Sequence, residues 1–232
     1  MSDLLKDGFL VSGRWMEGTP QPIHSPYDGK QIRSVHLADQ ESLQSAIAAA
    51  HQAFSDTRKV PAYERQRMLR AVSEGIRKHQ DEFSRMMALE AGKPLKAAHA
   101  EVERAIFTFA VAAEESVRIT GEFLPMDLQA ATADRWGLVR SFPLGPISAI
   151  TPFNFPLNLV AHKVAPAIAT GCSIVLKPAP QTPFCALMLG ELVRQAGWPA
   201  GGLNVVPLPN EQADALITDD RLSCSLSLEV PA

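Results

Sequence analysis

Residues Gly145 to Pro183, GPISAITPFNFPLNLVAHKVAPAIATGCSIVLKPAPQTP, set two short apolar runs on either side of a helix-forming segment. Ile147 to Ile150 and Ser173 to Leu176 are short apolar runs of the kind buried in parallel sheets. Leu159 to Ala169 forms the intervening helix, and the turn Pro152-Phe-Asn-Phe-Pro156 separates it from the first strand. Parallel neighbours need a crossover connection, so strand, helix, strand reads as one βαβ unit. The pattern continues with a helix over Phe184 to Ala196 closed by Gly197, then a third strand over Leu203 to Val206. A helix over Glu211 to Thr218 and a fourth strand over Leu222 to Leu226 follow. The second half is expected to be a doubly wound, mostly parallel α/β domain of Rossmann-like kind.

The first half reads differently. Gly8 to Trp15 alternates around Ser12-Gly13 as a hairpin does, Ser25 to Gly29 is a turn cluster, and Ile32 to His36 alternates like an edge strand. Asp39 can cap a helix running to about Phe54, with Leu43, Ile47, Ala50 and Phe54 on one stripe. Pro61 opens a second helix carrying Met68, Leu69, Val72 and Ile76 at helical spacing. A third runs from Asp81 to near Gly92, and a fourth from Leu95 to about Ile119, with Gly121 as its stop. From Phe123 to Phe142 the pattern is strand-like. The chain divides into residues 1–122, 123–142 and 143–232.

Composition excludes several function classes. The chain has 232 residues, of which 22 are basic and 25 acidic, so no net positive field argues for nucleic acid or anionic membrane as a partner. No apolar run approaches the ~20 residues of a membrane span, and the start lacks a basic segment followed by an apolar one. Cys172, Cys185 and Cys224 are an odd number without paired metal spacing, which points to reduced thiols in a cytoplasm and to no metal site. Each reads as a small core residue.

Two residue types in this frame can do chemistry. Prolines flank Asn154 at Pro152 and Pro156, fix φ and stiffen the turn, so the amide is presented in a set direction. An amide held so can donate to a developing oxyanion; the alternative is a turn asparagine bonding its own backbone. Phe153 and Phe155 line a pocket or pack, packing being the simpler expectation. Lys177 follows the strand Ser173 to Leu176, at the carboxyl end where open α/β sheets bind ligands, and a lysine there can bond ribose hydroxyls or phosphate. Lys163, on a helix, reads as ordinary surface. No G-x-G-x-x-G fingerprint is present; Asn204 to Asn210 reads NVVPLPN.

The ordered motifs resemble those of the aldehyde dehydrogenase superfamily: Pro152 to Pro156, Lys163, Ala165 to Gly171 with Cys172, and Lys177 to Pro183. Weaker agreement comes from Gly13-Arg14-Trp15, Ser25-Pro26 with Gly29, and Glu90-x-Gly92-Lys93-Pro94 followed by Glu101-Val102. The resemblance implies a coenzyme-binding domain in which Ile150, Thr151, Pro152, Phe153, Lys177, Ala179 and Pro180 contact NAD or NADP. It implies that Asn154 stabilises the oxyanion formed from a small aldehyde, and that 123–142 is an oligomerisation segment of a homo-oligomer. Where relatives often carry a ribose-binding glutamate, Pro180 stands, so NADP stays open beside NAD.

The family's nucleophile sits in a Gly-Gln-x-Cys pattern that these 232 residues do not contain, and the family pattern is left at Leu228. The expectation is therefore the amino-terminal, coenzyme-binding portion of an NAD(P)-dependent aldehyde dehydrogenase, with the catalytic domain absent and no turnover by the isolated chain. A frameshifted or truncated reading frame would give such a chain. So would a short non-catalytic paralogue that binds nucleotide or associates with another subunit.

Overall fold

The computed structural model describes residues 3–227. The departure from the family pattern at Leu228 and beyond lies outside the described residues. Strands β1 (Phe9–Val11) and β2 (Arg14–Met16) form the expected hairpin. Its turn puts Ser12 at φ 51° and Gly13 at φ 73°, the left-handed pair that matches strand twist in a two-residue hairpin loop. Strands β3 (Thr19–His24) and β4 (Gln31–Leu37) pair antiparallel as a separate two-stranded sheet. β4 was legible from its alternation and β3 was not.

Four helices follow: α1 (Gln40–Thr57), α2 (Ala62–Lys78), α3 (Gln80–Ala91) and α4 (Leu95–Ser116). The Asp39 side chain accepts from the Ser42 N–H at 2.8 Å, as the cap reading requires. Gly92, at φ 65°, ends α3 in the left-handed conformation that costs glycine least. The fourth helix stops at Ser116, short of the expected Ile119. Strands β5 (Glu122–Pro125) and β6 (Trp136–Val139) then form an antiparallel hairpin of their own.

The βαβ reading of the second half holds. β7 (Ile147–Ile150), α5 (Asn158–Thr170), β8 (Ile174–Lys177), α6 (Phe184–Gln195) and β9 (Leu203–Val205) occur in that order. The expected helix over Glu211 to Thr218 is broken into a 3-10 turn at Asn210–Gln212 and a single helical turn, α7 (Ala215–Thr218). Strand β10 (Cys224–Ser227) closes the order. The main sheet runs β10-β7-β8-β9-β1-β2. Strands β10, β7, β8 and β9 are parallel, whereas the hairpin is added antiparallel through Leu10 opposite Val205.

Helices α5 and α6 pack on the sheet and carry α2, α3 and α4 as a further layer. Helices α1 and α7 touch the sheet without packing on α5 or α6, which places them on the other face. One continuous core joins Phe9, Phe83, Phe109, Ile174 and Phe184, so both halves of the chain share it. Each such side chain, fully buried, contributes about 1.5–3 kcal/mol.

Candidate functional site

The carboxyl ends of β7 and β8 open into a cavity of about 370 Å³. All seven residues expected to contact coenzyme line it: Ile150, Thr151, Pro152 and Phe153 after β7, and Lys177, Ala179 and Pro180 after β8. The two strand ends are held together beyond their ladder by the Thr151 N–H, which donates to the Lys177 carbonyl at 3.1 Å. A parallel sheet exposes its strand ends on one edge, so the two loops that leave it there form one rim.

Lys177 is 2% exposed, and its Nζ donates to Asn210 Oδ1 at 2.7 Å. Burial draws its ammonium down to about 8, partly offset by the nearby Glu211 carboxylate. At neutral pH it therefore remains mostly protonated, with donors left over for a ligand's hydroxyl or phosphate oxygens. Asn210, Gln181 and Ala213 complete the lining. The sequence did not single them out, because Asn210 belongs to a segment that reads only as a proline-rich loop. A buried lysine in need of an acceptor was the available signal.

Asn154 lies between half-exposed Phe153 and Phe155 in the turn that follows β7. Its Oδ1 is buried without a hydrogen-bond partner. The amide is thus not spent on bonding its own backbone, as the turn-asparagine alternative required. Packing is not the fate of the two phenylalanines: Phe153 is 51% exposed and lines the cavity, while Phe155 lies under the Lys93 ammonium, 4.0 Å from its ring centroid.

Lys163 also departs from expectation. It is 6% exposed rather than ordinary surface, and burial lowers its pKa. The cause is the sandwiching of α5 between the sheet and α4, which covers even a charged position.

Larger clefts lie elsewhere. One of about 850 Å³ is lined by Arg58, Lys59, Arg65 and Arg140 where α1, α4 and α5 end. Its cations answer the negative ends of those helices, and Arg65 itself donates to the Ala169 and Val60 carbonyls. Cys172 and Cys185 are buried as expected, and burial beside Glu90 pushes the Cys185 thiol well above its ordinary range. Cys224 is only half-buried on the edge strand β10. Among the described residues no group of three His, Cys, Asp or Glu side chains could hold a metal ion. No helix among them is long and apolar enough to cross a membrane.

A sequence profile of the aldehyde dehydrogenase family matches residues 15–226. The chain belongs to the aldehyde dehydrogenase family. It is 38% identical over 201 residues to the 3-sulfolactaldehyde dehydrogenase of Priestia aryabhattai, a match covering 86% of this chain and 42% of that relative. In structure it superposes on aldehyde dehydrogenase 21 of Physcomitrella patens, solved with the reaction product succinate. That superposition has a TM-score of 0.92 and 39% identity, over 95% of this chain and 47% of that one. Betaine aldehyde dehydrogenase of Staphylococcus aureus, solved with NAD+, gives a TM-score of 0.90 at 27% identity over 95% of this chain and 45% of its own. The chain thus spans less than half the length of these aldehyde dehydrogenases.

Proposed function

We propose that this chain supplies the coenzyme-binding half of an NAD(P)-dependent aldehyde dehydrogenase. The observation that carries the reading is the cavity at the ends of β7 and β8, with the largely buried Lys177 ammonium in its wall. The donor set suits a dinucleotide: Lys177 offers charged N–H groups to ribose or phosphate oxygens, and Ile150, Pro152, Ala179 and Pro180 offer apolar contact to a base or ribose face. Bound there, the nicotinamide coenzyme would supply a hydride acceptor for aldehyde oxidation.

Asn154 is the group of this chain assigned to the reacting atoms. Its Nδ2 would donate to the oxygen of a small aldehyde as negative charge gathers on it, and the stiff turn spares that donor any reorganisation. The attacking thiolate is not assigned here, since Cys172 and Cys185 are buried and Cys224 lies outside the cavity lining. The 232-residue polypeptide by itself is therefore proposed to bind coenzyme without oxidising aldehyde, in a cytoplasmic setting that keeps its thiols reduced.

The β5–β6 hairpin supports a homo-oligomer. Phe123, Leu128, Trp136 and Leu138 are each more than 60% exposed, and Phe123 stacks on Trp136 with centroids 5.6 Å apart. An apolar surface of this kind on a projecting hairpin favours burial against a second copy.

Titration calorimetry with NAD and NADP tests the coenzyme assignment. Lys177→Met keeps the buried stem and removes the charge, and should weaken binding by about 1–3 kcal/mol. Equal affinity in the two proteins would overturn it.

A further inference from the structure

The Glu90-x-Gly92-Lys93-Pro94 and Glu101 motifs line no part of the cavity, yet both carboxylates end on the segments that build it. Glu101, on α4, is 2% exposed. Its Oε1 accepts from the backbone N–H groups of Leu157 and Asn158, each at 3.0 Å. Those are the first amides of α5, directly after the Pro152 to Pro156 turn. Helix α5 has no cap of its own, because Leu157 occupies the capping position and is itself buried in the core. The Oε2 of Glu101 takes the Lys93 ammonium, and that ammonium lies over the ring of Phe155, next to Asn154.

Glu90 repeats the arrangement one loop later. Its carboxylate accepts from Phe184 N–H at 2.8 Å and Cys185 N–H at 3.2 Å, the first amides of α6, after the loop that begins at Lys177. Helix α6 likewise has no side-chain cap from Pro183. Orphan amides at a buried helix start need an acceptor, and here both acceptors come from the α3–α4 layer rather than from the loops themselves.

We propose that Glu101, acting with Lys93, is the positioning residue for Asn154. One oxygen pins the backbone that leaves the turn, and the other holds the ammonium that pins the aromatic ring beside the amide. A cap within the turn would fix its local shape only. A cap delivered from α4 fixes where the turn sits against the helical layer. This inference rests on the reading of Asn154 as the oxyanion donor, but the placement of the Asn154 side chain can be measured without catalysis.

The experiment is amide hydrogen exchange and side-chain amide NMR on the 232-residue protein. Glu101→Gln retains an oxygen able to accept from both amides and loses the ion pair; Glu101→Ala loses both. In the alanine variant, exchange at Leu157 and Asn158 should quicken about tenfold and the Asn154 side-chain signal should shift, with Phe184 and Cys185 unchanged. Glutamine should restore protection at the two amides. Lys93→Met should leave those amides protected while shifting the Phe155 ring and Asn154 signals. The proposal is overturned if the alanine variant folds with Leu157, Asn158 and Asn154 unmoved, or if protection falls uniformly across the protein. If the alanine variant does not fold, unmoved Phe155 and Asn154 signals in Lys93→Met overturn it equally. Should Asn154 prove not to donate to an oxyanion, these shifts would persist while Asn154→Ala left turnover unchanged in a protein joining these residues to the catalytic half of a relative, so the two failures are distinguishable.

Discussion

Replacing Glu90 by glutamine should change how the stability of this protein depends on pH. Glu90 is 3% exposed, and burial pushes its carboxyl up to about 7 from an ordinary 4.5, against the pull of the Phe184 and Cys185 donors and with a further push from Glu101. A carboxyl that binds its proton more tightly in the folded state stabilises the fold most below about pH 4.5. That contribution is lost as pH rises through about 7. Each tenfold gain in proton affinity on folding is worth about 1.4 kcal/mol, so the loss between about pH 5 and about pH 8 is roughly 2–3 kcal/mol. Glutamine cannot ionise, and the acceptor it forfeits costs about 1 kcal/mol at every pH. The gap between the two proteins should therefore move in favour of the variant by roughly 2–3 kcal/mol across that range. Urea unfolding at several pH values, followed by tryptophan fluorescence and by circular dichroism, measures it, provided the slopes with urea agree. Parallel pH profiles would refute the reasoning. A gap moving the other way would mean that the start of α6 lowers this carboxyl instead.

Three further outcomes are expected. Pro180→Glu should shift the ratio of NAD to NADP dissociation constants toward NAD by about five- to thirtyfold, by repelling a 2′-phosphate; an unchanged ratio by calorimetry would place discrimination elsewhere. With these residues joined to the catalytic half of a relative, Asn154→Ala should lower kcat by about 10²–10³ with coenzyme affinity unchanged. Wild-type kcat where chemistry limits turnover would end the oxyanion assignment. Phe123→Ser combined with Leu138→Ser should reduce the mass seen in sedimentation, and a wild-type mass would show that the β5–β6 hairpin is not the interface.

The parts of the fold that the sequence made legible are those where local pattern and burial agree. β7 and β8 are short, mainly apolar runs because both faces of the sheet are covered, and Asp39, Gly92 and Gly197 mark helix ends by their own chemistry. β3 was hidden by Pro20 and Pro22, which argue against a strand unless it is an edge. Spaced two apart, their missing N–H groups fall on one side, and β3 pairs only with β4. The burial of Lys163 and the Lys177–Asn210 bond depend on layers and loops brought together from distant positions, which no periodicity encodes. Within the cavity lining, Lys177 was legible from its place at a strand's carboxyl end, and Ile150, Thr151, Pro152, Phe153, Ala179 and Pro180 through the ordered motifs. The grip of Glu90 and Glu101 on α6 and α5 was invisible, because the motifs that contain them do not say which distant amides their carboxylates will meet.

The addition of the β1–β2 hairpin to the far side of the sheet sets a timetable for synthesis. Leu10 pairs with Val205, the Ser12 N–H donates to Asn204 Oδ1 at 3.0 Å, and the Trp15 indole donates to Glu191 Oε2 at 3.0 Å. These side-chain partners are translated 176 to 192 residues after the hairpin residues they meet. At about 5–20 residues per second, the hairpin waits on the order of 10–40 s after emerging before β9 exists to receive it. For that interval its Phe9, Leu10 and Val11 side chains have no sheet to enter. Chaperone demand during translation should therefore fall on the hairpin, although in the folded protein Phe9, Leu10 and Val11 are deeply buried.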